Sequence, residues 1–141
     1  MKPISKIYSL RKYKDSKKLH QKAWKLMSLF IRNRGAKDGA NRCFTCGKWE
    51  NIKDLDCGHY IHRDSLDFNE VNLQSQCTKC NRFLHGNSGV FAHNLIMTYG
   101  LQVYKELEGL RFREHYFSIK ELEEIILKYD NVKGFTIKTV S

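Results

Sequence analysis

The sequence predicts a small α+β domain with a metal-stapled core, a basic helix before that core and helices after it. Three observations predict it. Two C-x-x-C pairs, Cys43/Cys46 and Cys77/Cys80, bracket a segment with β character, and four thiolates complete a tetrahedral zinc set. Apolar residues recur at helical spacing on both sides of the bracket. At 141 residues and 41% hydrophobic content the chain can bury a core but not a large one, so a structural metal is a natural supplement. The expected organisation is a basic arm and helix over 1–40, a zinc-stabilised core over 41–109, and a capped helix with a tail over 110–141.

Residues 1–15 are basic without a clear period and read as extended or disordered. Asp15 or Ser16 can cap a helix reaching about Asn33. Leu19, Ala23, Leu26 and Phe30 form its apolar stripe, widened by Trp24, Met27 and Ile31. Lys17, Lys18, Lys22 and Lys25 give that helix a basic side, and Gly35 ends it. Gly47 follows the first knuckle where a tight turn needs positive φ. Residues 52–62 read as β, 63–71 as a loop, and 72–76 lead into the second knuckle. A helix should begin near Cys80 and be interrupted at Gly86, Asn87 and Gly89. Further helices are expected around Phe91–Tyr99 and over 101–108. The last is the clearest: Ser118-Ile119-Lys120-Glu121 is a capping box, and Leu122, Ile125, Ile126 and Tyr129 make one apolar face, either core or a dimer surface. Residues 135–141 read as a loose tail past Gly134.

Charge points to a polyanionic partner. The net charge is +10, and it is unevenly placed. Residues 1–42 carry 13 Lys/Arg against Asp15 and Asp38, whereas the rest is nearly balanced, with 12 against 13 acids. A basic arm beside a neutral module suits attraction of nucleic acid, although a solvated basic helix has the same composition. The cysteines fit metal binding in a reducing compartment better than disulfides, and Cys57, the odd one, reads as a small buried hydrophobe. Without an apolar leader or a stretch long enough to span a bilayer, the chain is expected in the cytoplasm.

The knuckles alone do not name a function, since zinc ribbons, treble clefs and redox proteins all use such pairs. The residues between and after them narrow it. His59 carries an imidazole, which can take a proton from water. Asn81, directly after Cys80, offers an oxygen to a hard cation such as Mg²⁺ or Mn²⁺. His85 is four residues further on and would share its face in a helix. Asp56 stands two residues before Gly58, on the strand side opposite His59. Arg63, Lys79 and Arg82 flank the segment as phosphate-binding candidates alongside the four helix lysines, and His62 is close enough to contact phosphate. His20, His93 and His115 lie outside this constellation.

The order Cys43-x-x-Cys46-Gly47, Asp56-x-Gly58-His59-Tyr60, Phe68-Asn69-Glu70-x-Asn72, Gln76-Cys77-x-x-Cys80-Asn81, Gly86-Asn87, then Leu95-Ile96 and Gly100, resembles the NinG/Rap family of lambdoid phage recombination nucleases. The similarity runs over about residues 20–130. More widely it resembles the HNH, or ββα-metal, endonucleases built on a treble-clef zinc site. The resemblance implies an HNH-like core and a metal-dependent DNA endonuclease acting on branched DNA such as Holliday junctions or D-loops. It also implies His59 as general base, Asn72 holding its ring, and Asn81 with Asp56 or His85 on a catalytic Mg²⁺ or Mn²⁺. Cys43, Cys46, Cys77 and Cys80 would hold a structural Zn²⁺. Many HNH members place Asp directly before the catalytic His; this chain has Gly58. Cutting both strands of a junction would need two sites, hence a homodimer. The rival reading is a non-catalytic zinc module that binds nucleic acid; a structural or assembly factor with its C-terminal helices as a partner face is a third.

Overall fold

A computed structural model describes residues 2–140, with side chains described over residues 14–130. The fold is mixed α+β. Helix α1 (Lys2–Asn33) leads to an antiparallel pair β1 (Ala40–Arg42) and β2 (Trp49–Asn51). A second antiparallel pair joins β3 (Leu55–His59) to β4 (Leu73–Cys77), with Leu55 opposite Cys77 and His59 opposite Leu73. A π-helical turn (Lys79–Phe83) follows, then α2 (Ser88–Tyr99), α3 (Leu101–Gly109) and α4 (Ile119–Val140). Among the described residues no helix is long and apolar enough to cross a membrane.

Three expectations need correction. The backbone is helical from Lys2, not from about residue 15. Its one proline, Pro3, sits in the first turn where a missing N–H costs nothing, and Lys, Arg and Leu are good helix formers, so propensity suffices where no apolar period exists. At the other end α4 continues through Gly134 to Val140. One glycine inside a helix costs only about 1 kcal/mol relative to alanine, too little to end it. Gly89 likewise lies within α2, which starts at Ser88 behind Asn87 in the left-handed region (φ 50°).

Two cores meet at the β3–β4 hairpin. In the first, Leu26, Met27 and Ile31 of α1 pack on Leu73 and on Tyr129 of α4, with Ile125, Ile126 and Cys57 against them. The apolar stripe of α4 is thus intramolecular core and not a free dimer face. In the second, Ile61 and Leu66 pack on Phe91, Leu95 and Leu107 from α2 and α3. Burying each such side chain contributes about 1.5–3 kcal/mol. The capping box forms: Glu121 N–H donates to Ser118 Oγ (3.1 Å) and Ser118 N–H to Glu121 Oε1 (3.2 Å).

Polar ties fix α1 onto the hairpin. The Asn41 amide donates to the carbonyls of Arg32 (2.8 Å) and Arg34 (2.9 Å), groups that lack partners inside the ending helix. Arg34 reaches across to the Glu70 and Leu73 carbonyls and to Gln74 Oε1, each at 3.0 Å.

Candidate functional site

The metal frame is built first. Cys43, Cys46, Cys77 and Cys80 bring their sulfurs within 4.8 Å of one another. The Cys46 and Cys77 sulfurs are 3.8 Å apart, the edge of a tetrahedron with zinc–sulfur bonds of about 2.3 Å. Four thiolates at that spacing fit zinc and leave it no open position. Gly47, at φ 80°, lets its own N–H return to the Cys43 carbonyl (2.9 Å), closing the first knuckle. Phe44 N–H donates to the Ser75 carbonyl (2.8 Å), tying that knuckle to β4. Burial pushes the Cys77 thiol up to about 12. Burial also acts to raise Cys43, but hydrogen bonds from the Cys46 backbone and the Thr45 side chain override it and hold that thiol near 6. Cys57 stays apart. It packs against the first core, and burial pushes its thiol up to about 12, as befits a small hydrophobe.

Strand β3 sorts the remaining candidates onto two faces. Asp56 and Gly58 point one way, toward the π-helical turn, and Cys57 and His59 point the other, toward α1. On the first face Asp56 Oδ2 accepts from the Asn81 amide (3.0 Å), so these two expected partners do meet. Arg82 closes on the same carboxylate with both ends of its guanidinium, each at 3.0 Å. Arg82, expected on phosphate, therefore spends its fork on Asp56. His85 does not share a helical face with Asn81. The turn winds wide, with Leu84 N–H on the Lys79 carbonyl and Gly86 N–H on the Cys80 carbonyl (both 2.9 Å), which leaves His85 exposed at φ 51°.

The carboxylate missing at position 58 has a steric explanation. A Cβ on Gly58 would lie 1.9 Å from Gln76 Oε1 and 2.7 Å from its Cδ. Gln76 is fully buried, and its amide donates to Thr45 Oγ1 (3.1 Å) and the Gly86 carbonyl (2.9 Å). The space a side chain at 58 would need is already filled.

On the second face the His59 ring stacks on Trp24 of α1, with centroids 5.0 Å apart and planes 16° from parallel. Its Nε2 is 3.3 Å from Asp67 Oδ1, while Asp67 Oδ2 is 2.9 Å from His20 Nε2. The His62 ring lies 5.7 Å away, and desolvation and the His59 charge both lower its pKa. Asn72 does not bond the His59 ring. Its side chain is buried and spans the backbone of Ile61, accepting from Ile61 N–H (2.8 Å) and donating to Ile61 C=O (3.0 Å). Tyr60 N–H also donates to the Asn72 carbonyl (2.9 Å). Asn72 thus fixes the chain leaving β3, and its hold on His59 is through the main chain.

Of the basic candidates, Lys17, Lys18, Lys22 and Lys25 are exposed on α1, the helix that also carries Trp24. Lys79 is exposed beside the second knuckle, and Arg63 is half-buried at a cleft of about 340 Å³ that His62 and Tyr116 also line. Of the histidines set aside on sequence, His20 belongs at the site after all. His115 pairs with Glu121 (2.6 Å) and His93 is exposed. Asp67 carried no sequence signal, because its partners are 8 and 47 residues away. Trp24 could be read only as part of an apolar stripe.

The family model described as "Bacteriophage Lambda NinG protein" matches residues 5–136. The chain belongs to the NinG family. No curated protein and no solved structure matches it. The NinG match covers most of α1, both knuckles, the hairpin and most of α4, so all the residues brought together above lie within it.

Proposed function

We propose that this NinG-family chain is a metal-dependent DNA endonuclease of the HNH type, acting on branched DNA in phage recombination, in the host cytoplasm. The observation that carries the reading is the setting of His59. Its ring sits at the end of a hairpin strand, flat on Trp24 and held at Nε2, with the zinc knuckles fixing the far end of the same hairpin.

In this reading the exposed lysines of α1 and Lys79 attract the DNA backbone. His59 takes a proton from water, the water oxygen bonds to phosphorus, and the phosphorus–oxygen bond to the leaving strand breaks. The leaving oxygen gains a proton from solvent. Asp56 and Asn81, already paired, are the oxygen donors for a Mg²⁺ or Mn²⁺ ion, with water and phosphate as further ligands. When bound, such an ion supplies charge stabilisation at the phosphate. Arg82 would have to yield Asp56 to it. Cutting two strands of a junction would call for two copies of the chain.

The test is a panel of linear, nicked and four-way DNA with Mg²⁺ or Mn²⁺, comparing wild type with His59→Ala. Cleavage lost with binding retained is expected. Wild-type protein that binds but cuts nothing would overturn the enzyme reading. It would favour a non-catalytic zinc module on nucleic acid, for which the two-pronged Arg82–Asp56 pair speaks.

A further inference from the structure

The interaction left over is the carboxylate between two imidazoles. Asp67 lies just past a 3-10 turn (Asp64–Leu66) in the loop between β3 and β4, 18% exposed at its side chain. One oxygen faces His20 Nε2 at 2.9 Å and the other faces His59 Nε2 at 3.3 Å. A carboxylate only accepts hydrogen bonds, so both rings must present an N–H to it. A neutral imidazole carries one N–H. If Nε2 holds the proton, Nδ1 of His59 is left with its lone pair.

The surroundings support a fixed arrangement. His20 is in turn packed on Phe68 (centroids 5.2 Å) and Phe117 (6.2 Å), which restrains the carboxylate from its far side. Trp24 fixes the plane of the His59 ring. The His62 ring, 5.7 Å from that of His59, carries no negative charge. Asp67 is thus the acceptor that chooses the tautomer.

We infer that Asp67 is the positioning residue for His59: shared with His20, it locks His59 as the Nε2–H tautomer and leaves Nδ1 as the proton acceptor. The inference rests on His59 being the base proposed above. The role would make α1 part of the site, through His20 and Trp24, and not only a basic arm.

The test uses the full-length, zinc-loaded protein. Nitrogen-15 NMR of the histidine side chains should show His59 protonated at Nε2 near neutral pH. Asp67→Asn nearly preserves shape, but its amide can donate to a bare Nε2, so the Nδ1–H tautomer should gain population. Cleavage turnover should fall on the order of 10²- to 10⁴-fold with DNA affinity within about 3-fold, as expected when a general base is left in the wrong tautomer. His20→Gln, which still offers a donor to Asp67, should lose less turnover than Asp67→Asn. An Nδ1–H tautomer in wild type overturns the inference, as does an unchanged His59 spectrum in folded Asp67→Asn. The wild-type spectrum decides even if Asp67→Asn fails to fold. It also decides if the protein cuts no DNA, so failure of the nuclease reading is separable.

Discussion

Replacing Gly58 by alanine should destabilise the protein by about 2–4 kcal/mol. The new methyl carbon would sit 1.9 Å from Gln76 Oε1, 2.7 Å from Cδ and 2.9 Å from Cγ. Side chains usually swing away from such an intrusion, but Gln76 cannot do so cheaply. It is fully buried, and its amide is committed to Thr45 Oγ1 and the Gly86 carbonyl. Moving it forfeits at least one of these two buried hydrogen bonds, at about 1 kcal/mol, and adds overpacking of about 1–3 kcal/mol. Urea unfolding at fixed zinc concentration should show a lower midpoint with an unchanged slope. At this chain length the melting temperature should drop by roughly 5–15 °C. Shortening Gln76 to alanine in the same chain should recover part of the loss, with a favourable coupling of at least about 1 kcal/mol in the double-mutant cycle. A Gly58→Ala protein within about 0.5 kcal/mol of wild type would refute the steric argument. So would strict additivity with Gln76→Ala. An aspartate at position 58 should likewise destabilise the fold unless Gln76 is shortened first.

Other outcomes follow from the same geometry. Cys77→Ser, or chelation of the metal, should unfold the hairpin end and abolish any cleavage, because the knuckles' binding energy is folding energy; circular dichroism with and without chelator reads this. Asn72→Ala should cost about 1–3 kcal/mol in urea unfolding, since it leaves buried Ile61 N–H without its partner and takes from the Ile61 carbonyl one of its two donors, the Arg63 N–H remaining. The Arg111 guanidinium, opposed by burial and helped by the Tyr60 hydroxyl, holds the Glu108 carboxyl down near 2. A carboxylate depressed in the folded state contributes stability that is complete above about pH 4.5 and lost as pH falls toward 2. With that side chain 30% exposed, screening leaves about 1–2 kcal/mol. Glu108→Gln should therefore melt lower than wild type at pH 7, and the gap should narrow below about pH 4.5 and close only as pH falls to about 2.

The elements with a strong local signal were legible in the sequence. The capping box of α4, the apolar stripe of α1 and the two knuckles each put their information within a few neighbouring residues, and all three form. The mismatches are local in the opposite sense: over 2–14 the lack of a pattern, and at Gly134 one glycine, suggests a break where propensity carries the helix through. The site divided along the same line. Cys43, Cys46, Cys77 and Cys80 converge, and Asp56 meets Asn81, because spacing and strand alternation fix them. Asp67, His20 and Trp24 gather at His59 only because α1 folds back over β3, a tertiary event with no trace in residue spacing. Gln76 belongs to the same class: its side chain decides what position 58 can be, yet 18 residues separate them.

The first and last helices of this sequence close one core between them: Leu26 and Met27 of α1 are covered by Tyr129 and its neighbours on α4. The face of α1 that carries Trp24 and His20 to the His59 ring is seated by residues made after every residue of the site. During translation the hairpin and both knuckles leave the ribosome well before α4. A nascent chain would then hold its zinc frame and its histidine, but not the helix seating that keeps the ring in place. The order of emergence thus sets the order of assembly: the ring is seated only once α4 has been made, well after the second knuckle.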